Sequence, residues 1–473
     1  MIIRNQLYKT LLLPVFVIVG LIALSYLPET TVYGDEPLKR VDILSDVKNK
    51  TYSVSEAEKL IAQAEEERKQ LLANDSIPPG VTPIEDFSTR DSMFMMERFY
   101  QKLNEIDQLD RPVRIAYFGD SFVGGDILTG DFREMMQDKF GGCGLGALDL
   151  IQDNSRVNVR SKNHGLIIHK PTQHKDYKPE LQGMNNIYTT SDSNAWVSFT
   201  GLRKSRYGTH IGLWNTSLLY FRPTQETTVS CKVNDGDPQE LYNGKSDTLQ
   251  VVKTEGDINS IEWNLRGSKT IYYFAANEGR KGIVVDNFSI VSVPGTQHLK
   301  IPQETLQEFA KARDYDLIIF HYGLNIVDDK DQTGYRGFRK SYNKITEKFR
   351  KAWPEAAQLI VSVSDRSKRT ENGEHTTMKG VEELVVAQRE IAKKNKIAFW
   401  NLFSAMGGKG SIAKMEANGE AAKDFTHISF KGGKKLATML FKAINNGLMN
   451  YNRHKDANAD IDQRVNNIKN FTR

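Results

Sequence analysis

The hydrophobic residues of this chain follow a strand-and-helix alternation over much of its length. Four near-continuous apolar runs are typical of buried parallel strands. They cover residues 114–121, 316–322, 358–363 and 397–402. Between the runs, apolar residues recur at the spacing of one helical face, as at Phe338, Tyr342, Ile345 and Phe349. This alternation predicts an α/β unit with a parallel sheet covered by helices on both sides.

A different pattern occupies residues 150–285. Alternating and β-branched runs, such as 195–199, 217–221 and 227–233, are separated by turn signals such as Asn234-Asp235-Gly236. Short strands at this spacing predict an antiparallel β-sandwich. Because the α/β pattern resumes afterwards, we expect the sandwich to be inserted into the α/β unit. A module that contacts carbohydrate and a purely structural insertion are equally compatible with the sequence.

An uncharged apolar run at residues 11–27 follows Arg4 and Lys9. Its length lies between that of a signal-peptide core and that of a spanning helix, and a clear cleavage site is missing. We therefore expect residues 1–28 to form an uncleaved membrane anchor. The basic residues before the run would leave the rest of the chain outside the cytoplasm. If the segment is cleaved instead, the protein is secreted.

The remaining boundaries follow from composition. Residues 29–85 are predicted to be a spacer with one helix from Ser53 to Leu72, capped by Ser55. The α/β unit comprises residues 86–149 and 286–450, and residues 451–473 form a polar, loosely ordered tail. The whole chain has 473 residues, which is more than a single hydrophobic core usually organises, so we expect more than one folded unit.

Charge and cysteine content narrow the function. The net charge of +5 arises from 64 basic and 59 acidic residues that are spread along the chain. Without a concentrated basic stripe, we do not expect nucleic-acid binding. The two cysteines, Cys143 and Cys231, fall in different units, so a disulfide between them is the less favoured alternative. We find no Cys/His cluster with metal-ligand spacing and expect no cofactor.

Candidate chemistry lies at the ends of the predicted strands. Ser121 ends the first apolar run and precedes a helical pattern, so it would stand at the carboxyl edge of the sheet, where ligands bind in open α/β folds. A serine nucleophile needs a base and a group that orients the base. His427 is the only histidine preceded by an aspartate at three residues, Asp424. Asn325, after the strand at 316–322, and the Ser121 backbone N–H are candidate oxyanion donors.

The motifs Gly119-Asp120-Ser121, Gly323-Leu324-Asn325 and Asp424-Phe425-Thr426-His427 resemble those of the SGNH or GDSL hydrolases. The resemblance implies a flavodoxin-like three-layer fold and ester chemistry. It also implies a glycine whose backbone N–H completes the oxyanion hole. Gly295 is our candidate for that glycine, with Ser292 as the alternative. Phe122 departs from the polar residue that commonly follows the serine.

Within that family, the chain looks most like envelope-anchored members with an inserted β-sandwich, which are similar to peptidoglycan O-acetyl esterases and related O-acetyltransferases. The resemblance therefore implies a triad of Ser121, His427 and Asp424 that acts on O-acylated glycans in the periplasm. A transferase would need a membrane partner that delivers the acyl group. A non-catalytic glycan-binding or scaffold protein with the same fold is the alternative from another class.

Overall fold

The computed structural model describes residues 14–20, 32–33, 36–37, 51–88, 95–152, 156–172, 176–202, 208–329 and 334–472. These residues form two compact units. One unit comprises Met1–Asp75 and Asn452–Arg473, and the other comprises Ser76–Tyr451.

The first unit contains a short strand pair, β1 (Val32–Tyr33) with β2 (Glu36–Pro37), and the predicted spacer helix, α1 (Val54–Ala73). Ser53, rather than Ser55, caps this helix. Its hydroxyl accepts from the Glu56 backbone N–H, and the Glu56 carboxylate accepts from the Ser53 backbone N–H at 3.0 Å. This reciprocal capping box depends on a glutamate three residues after the serine.

Of the apolar run at 11–27, the structure describes only residues 14–20, which are helical. The rest of the run lies outside the described residues. In the part of the chain that the structure describes, no helix is both long and apolar enough to cross a membrane. The membrane anchor therefore stays a prediction.

The remaining strands and helices continue the numbering. They belong to the second unit, apart from the end of the last helix, which from Asn452 onward belongs to the first unit. Before the insertion come β3 (Ile84–Asp86), α2 (Met95–Asn104), β4 (Val113–Gly119) and α3 (Thr129–Phe140). The insertion contains β5 (Gly144–Leu148), β6 (Val159–His169), β7 (Tyr188–Gly201), β8 (Trp214–Arg222), β9 (Thr227–Val233), β10 (Gln239–Gly244), β11 (Gln250–Ile258), β12 (Ser260–Arg266) and β13 (Ile271–Glu278). After it come β14 (Ile283–Ser289), α4 (Gln303–Ala312), β15 (Leu317–His321), α5 (Arg336–Ala352), β16 (Ala357–Val361), β17 (Ser367–Arg369), β18 (His375–Thr377), α6 (Lys379–Asn395), β19 (Ala398–Trp400), α7 (Leu402–Met406), α8 (Ser411–Ala417) and α9 (Phe430–Asn470).

The central sheet has six strands in the order β14-β4-β15-β16-β19-β3. All neighbours are parallel except β3, which pairs antiparallel with β19. Numbered by position in the chain, the five parallel strands run 2-1-3-4-5, which is the doubly wound order of flavodoxin. The mixed α/β class and the parallel sheet are thus confirmed. In such a sheet the ligand crevice lies where the strand order reverses, here between β4 and β15.

The inserted strands differ in detail from the predicted sandwich. The nine strands from β5 through β13 form one antiparallel sheet. The sheet is branched, because β13 pairs with three strands, β5, β7 and β8. The sheet starts earlier than residue 150. Strand β5 is rich in glycine because other backbone passes close by: a Cβ on Gly144 would lie 2.3 Å from the carbonyl oxygen of Asn277. A strand of this composition lacks the usual β-branched signal.

The C-terminal residues are also more ordered than predicted. Helix α9 continues to Asn470, so a loosely ordered tail after residue 450 was wrong. Ile461 and Val465, four residues apart, are buried together with Ala64 of α1 in one cluster. Arg464 adds an ion pair with Glu67 at 2.8 Å. Few apolar residues mark a helical face in this polar segment, so its composition suggested a tail instead of a helix.

Candidate active site

Ser121 stands directly beyond the carboxyl end of β4, in a 3₁₀ turn that spans Ser121–Asp126. The chain turns sharply because Gly119 carries no side chain. A Cβ on Gly119 would lie 2.2 Å from Cγ2 of Val123 and 3.1 Å from the carbonyl oxygen of His321. The Ser121 side chain is partly buried, and its turn lies at the predicted switch point of the sheet.

The three residues predicted to form a triad are linked by hydrogen bonds. Ser121 Oγ lies 3.0 Å from His427 Nε2, and His427 Nδ1 lies 2.6 Å from Asp424 Oδ2. The other oxygen, Asp424 Oδ1, accepts from the backbone N–H groups of Thr426 and His427 at 3.0 Å each. The carboxylate therefore orients both the imidazole and the loop that carries it.

The site is open to solvent. About half of the Asp424 side chain (49%) and of the His427 side chain (45%) is exposed. Partial burial disfavours the charge on Asp424, but hydrogen bonds from His427 and Thr426 outweigh it and lower the pKa of this carboxyl below its ordinary value. Asp424 is therefore ionised near neutral pH and can stabilise an imidazolium.

Asn325 lies in the 3₁₀ turn that follows β15, and β15 is a neighbour of β4 in the sheet. Its Nδ2 donates to the carbonyl oxygen of Val293 at 3.2 Å, so the amide lies beside the segment after β14. In that segment, Ser292 is exposed and has a left-handed φ of 65°. Gly295 is buried, and a Cβ there would lie 2.2 Å from the Tyr342 hydroxyl. Both candidates for the additional oxyanion donor thus belong to the loop that Asn325 contacts.

Asp120 has a role that sequence reasoning missed. Its buried carboxylate accepts from the Phe122 backbone N–H at 3.0 Å and from the backbone N–H groups of Gly323 and Leu324. It therefore ties the Ser121 turn to the Asn325 turn. Burial raises the pKa of Asp120 to about 6, and these hydrogen bonds only partly oppose that rise. Its place inside the Gly119-Asp120-Ser121 motif was the available signal.

A buried ionic cluster lies at the other end of the Ser121 turn. Asp126 accepts from Arg133 at 3.0 and 3.2 Å, from Asn158 at 2.7 Å and from Asn287 at 2.8 Å. Burial alone would raise the pKa of Asp126, but the positive charges of two arginines, chiefly Arg133, outweigh this effect. The pKa of Asp126 is therefore far below its ordinary value. The partners come from α3, the insertion and β14, and together they fix the end of the turn.

A hairpin formed by β17 and β18 borders the His427 loop. The backbone N–H of Ser367 donates to the carbonyl oxygen of Phe425 at 3.1 Å, and the rings of His375 and Phe425 stack with centroids 3.5 Å apart. This hairpin was not predicted. The dipeptide Asn372-Gly373, a frequent hairpin turn, was the signal that could have revealed it.

Two further sequence expectations concern cysteines and metals. Cys143 and Cys231 are both free thiols, in agreement with the favoured alternative. Glu134, Asp138 and His210 place possible ligand atoms within 4.8 Å of one another. The Glu134 carboxylate already accepts from the Thr209 backbone N–H at 2.7 Å and from its hydroxyl at 2.6 Å. We assign no metal to this group.

The comparisons with known proteins agree with this architecture. The solved structure of a peptidoglycan O-acetylesterase matches 77% of this chain over 99% of its own length, with a TM-score of 0.63 and 21% identity. At this identity the match shows a shared fold, and the predicted resemblance to peptidoglycan O-acetyl esterases is confirmed at the level of the fold. No protein-family model and no curated sequence matches the chain.

Two other solved structures are similar over smaller or poorly superposed regions. A family two carbohydrate esterase from Cellvibrio japonicus is 8% identical, covers 62% of this chain and 99% of its own, and has a TM-score of 0.24. A putative GDSL-like lipase from Parabacteroides merdae is 12% identical, covers 35% of this chain and 74% of its own, and has a TM-score of 0.26.

Proposed function

We propose that the protein is a serine esterase that releases O-acetyl groups from glycans of the cell envelope. The observation that carries the proposal is the continuous chain of hydrogen bonds from Ser121 through His427 to Asp424. Nucleophile, base and orienting acid in this order are the requirements for acyl transfer through a serine. These three hydrogen-bonded residues lie at the switch point of a doubly wound sheet, where ligands of such folds bind.

In the first half of the proposed reaction, Ser121 Oγ attacks the acetyl carbonyl carbon and its proton passes to His427 Nε2. Asp424 stabilises the imidazolium through the bond to Nδ1. The tetrahedral intermediate then collapses: the bond to the sugar oxygen breaks, and that oxygen takes the proton from His427. The sugar leaves with a free hydroxyl, and the acetyl group remains on Ser121.

The negative charge on the tetrahedral intermediate needs donors aimed at its oxygen. We assign this role to the Ser121 backbone N–H, the Asn325 side-chain amide and a backbone N–H of the loop between Ser289 and Gly295. Both residues have a left-handed φ, 65° at Ser292 and 80° at Gly295. Within that loop we favour Ser292 over Gly295, because Ser292 is exposed, whereas Gly295 is buried against Tyr342.

In the second half, a water molecule gives a proton to His427 and attacks the acetyl carbon. The bond to Ser121 breaks, Ser121 Oγ recovers the proton from His427, and acetate is released. If a sugar hydroxyl replaces water, the same steps transfer the acetyl group. Esterase and transferase therefore differ in the second acceptor alone.

The substrate class rests on the resemblance and on the fold shared with a peptidoglycan O-acetylesterase. An envelope glycan also fits the predicted location outside the cytoplasm, with the apolar run at 11–27 as an anchor. Protease treatment of spheroplasts tests that location, since a periplasmic ectodomain is degraded once the outer membrane has been removed, whereas a cytoplasmic protein is protected.

The activity is tested with O-acetylated peptidoglycan fragments and p-nitrophenyl acetate. We expect the wild type to release acetate and Ser121→Ala to lose several orders of magnitude in turnover, about 10⁶-fold as in other serine triads. Ser193→Ala, an exposed serine of β7, is the matched control. Equal turnover by wild type and Ser121→Ala would falsify the proposal.

The same assay separates hydrolysis from transfer. With a deacetylated glycan added as acceptor, an esterase releases one acetate for each ester consumed, whereas a transferase produces newly acetylated glycan. A fluorophosphonate probe that fails to label Ser121 while labelling a control esterase would instead indicate a glycan-binding protein without catalysis.

A further inference from the structure

A cavity of about 330 Å³ lies between the inserted sheet and the end of β14. Its α/β wall is the segment Ser289–Ser292, and its other wall includes Ile168, Lys170 and Thr172 of the insertion. The volume is within the range of small-molecule sites in proteins, about 300–1,000 Å³. The insertion thus does more than cover the sheet, because it completes a concave site.

The α/β wall of this cavity contacts the turn that carries Ser121. Ser289 is paired with Gly119 in the parallel ladder, and the Ile290 backbone N–H donates to the carbonyl oxygen of Gly119 at 3.0 Å. Val291, which is 37% exposed, packs near Gly124, where a Cβ would lie 3.8 Å from Val291 Cγ2. A molecule in the cavity would therefore lie close to the proposed nucleophile.

The lining combines hydroxyl and aliphatic groups. Thr172, Ser289 and Ser292 supply hydroxyls, whereas Ile168 and Ile187 supply branched aliphatic surface. A sugar ring carries hydroxyls around its edge and C–H groups on its two faces, so it can use both kinds of surface at once. A purely aliphatic acyl chain would leave the hydroxyls without a partner in a desolvated site.

Charged groups complete the lining. Lys170 and Asp149 lie on the insertion side. The Asp149 carboxylate also accepts from the Asn185 side chain at 3.1 Å, which holds its position in the wall. Together, an ammonium group and a carboxylate offer both donors and acceptors to ring hydroxyls.

We propose that this cavity binds a sugar ring of the glycan substrate, next to the ester that Ser121 attacks. The inference rests on the proposed esterase function and adds a subsite to which the insertion and the α/β unit both contribute. It also favours a carbohydrate-contacting insertion over a purely structural one, an alternative that the sequence had left open.

The first test fills the cavity from its exposed rim. Thr172→Trp is introduced into the 473-residue chain, and kcat/KM is measured on O-acetylated glycan fragments and on p-nitrophenyl acetate. We expect a reduction of roughly tenfold or more on the glycan, mainly through KM, and a change within about twofold on the small ester. Asn163→Trp, an exposed residue of β6 outside the cavity, is the matched control and should change neither value.

A second variant removes charge rather than space. Lys170→Gln should raise KM for the glycan about tenfold, since hydrogen bonds to charged groups are stronger than neutral ones. Lys162→Gln, at an exposed position of β6, the strand that ends one residue before Lys170, removes the same charge outside the cavity and should leave KM unchanged.

Three outcomes would overturn the proposal. Equal losses on glycan and small ester for Thr172→Trp would mean that the cavity wall merely supports the Ser121 turn. Unchanged kinetics on both substrates would mean that the sugar binds elsewhere. A selective loss on p-nitrophenyl hexanoate, with glycan turnover intact, would make the cavity an acyl-chain pocket.

Calorimetric binding of a deacetylated oligosaccharide to Ser121→Ala separates this inference from the catalytic proposal. If Thr172→Trp in the Ser121→Ala background weakens binding but the wild type cleaves no ester, the catalytic proposal alone fails. If the wild type cleaves acetyl esters but Thr172→Trp leaves oligosaccharide binding unchanged, the sugar subsite alone fails.

Discussion

One carboxylate holds His427 at two points. Asp424 Oδ2 lies 2.6 Å from the imidazole Nδ1, and Asp424 Oδ1 accepts from the His427 backbone N–H at 3.0 Å. The ring is therefore fixed both in its tautomer and relative to its own backbone. This double contact follows from the three-residue spacing, which closes a compact loop before helix α9.

Replacing Asp424 by Asn tests that arrangement. An amide can accept the backbone bond but carries no charge to stabilise the imidazolium. We therefore expect kcat for acetyl esters to fall by about 10⁴-fold, as for a triad whose acid is changed to an amide. Stopped assays of acetate release measure the change.

The control for Asp424→Asn is Asp460→Asn, an exposed aspartate of helix α9 that pairs with Arg464. It should retain full activity. A decrease in kcat of less than tenfold for Asp424→Asn would contradict an orienting role for this carboxylate.

Helix α9 approaches the Ser121 side of the site through a glycine. A Cβ on Gly433 would lie 1.8 Å from the carbonyl oxygen of Ile127, directly after the Ser121 turn. Gly433→Ala should push the start of this helix, and with it the His427 loop, away from Ser121. Because a misplacement of about 1 Å can cost 100-fold in rate, we expect kcat to decrease by about that factor.

The matched substitution is Gly337→Ala at the start of helix α5, where the added methyl meets nothing within 4 Å. There we expect unchanged kcat and a gain in stability of up to about 1 kcal/mol. Thermal unfolding and kcat are measured for both variants. Equal behaviour of the two alanine variants would show that the close approach at Gly433 does not position the site.

Much of the candidate site could be predicted because its residues follow strands. Ser121 and Asn325 occupy the ends of two apolar runs, and parallel strands bring their carboxyl ends to one edge. The pair of Asp424 and His427 is local, so its spacing alone indicated a contact. The strand order 2-1-3-4-5 then places Ser121 and Asn325 on adjacent strands.

Other parts of the site could not be predicted, because their partners are distant in sequence. Asp126 contacts Asn158 and Asn287, which lie 32 and 161 residues further along the chain. The left-handed conformation of Ser292 depends on tertiary contacts, since serine has no intrinsic preference for it. The resemblance pointed to Gly295 instead, and the choice between the two stays a prediction.

The raised pKa of Asp120 makes a prediction about stability and pH. Its pKa is about 6 in the folded chain and about 3.9 in an unfolded one. The folded state therefore binds this proton more tightly, so the carboxyl favours folding at low pH and loses that contribution as pH rises through 6. Relative to Asp120→Asn, the wild type should become less stable by about 2 kcal/mol between pH 4 and pH 7.

Urea unfolding of the two proteins across this pH range measures the difference. Asp110→Asn, which replaces an exposed aspartate before β4, is the control substitution of the same kind outside the site. A pH-independent difference between wild type and Asp120→Asn would mean that Asp120 has an ordinary pKa in the folded state.

Asp126, six residues after Asp120 and at the end of the Ser121 turn, should behave in the opposite way. The substitution Asp126→Asn leaves the buried Arg133 without its carboxylate, which typically costs about 3–5 kcal/mol. The exposed ion pair of Glu347 with Lys351 supplies the control, because Glu347→Gln should leave the free energy of unfolding nearly unchanged. Urea unfolding at pH 7 compares the two.

The pH dependence then separates the charge of Asp126 from its shape. Its folded pKa is far below that of an unfolded aspartate, so the carboxylate stabilises the fold above pH 4 and loses this contribution as pH falls further. The gap between wild type and Asp126→Asn should therefore narrow by about 1 kcal/mol from pH 4 to pH 3. A gap that stays constant would mean that hydrogen-bond geometry, rather than charge, makes Asp126 necessary. The difference in stability between wild type and Asp120→Asn changes at higher pH and with the opposite sign. One series of unfolding measurements across pH therefore distinguishes the two aspartates on either side of the Ser121 turn.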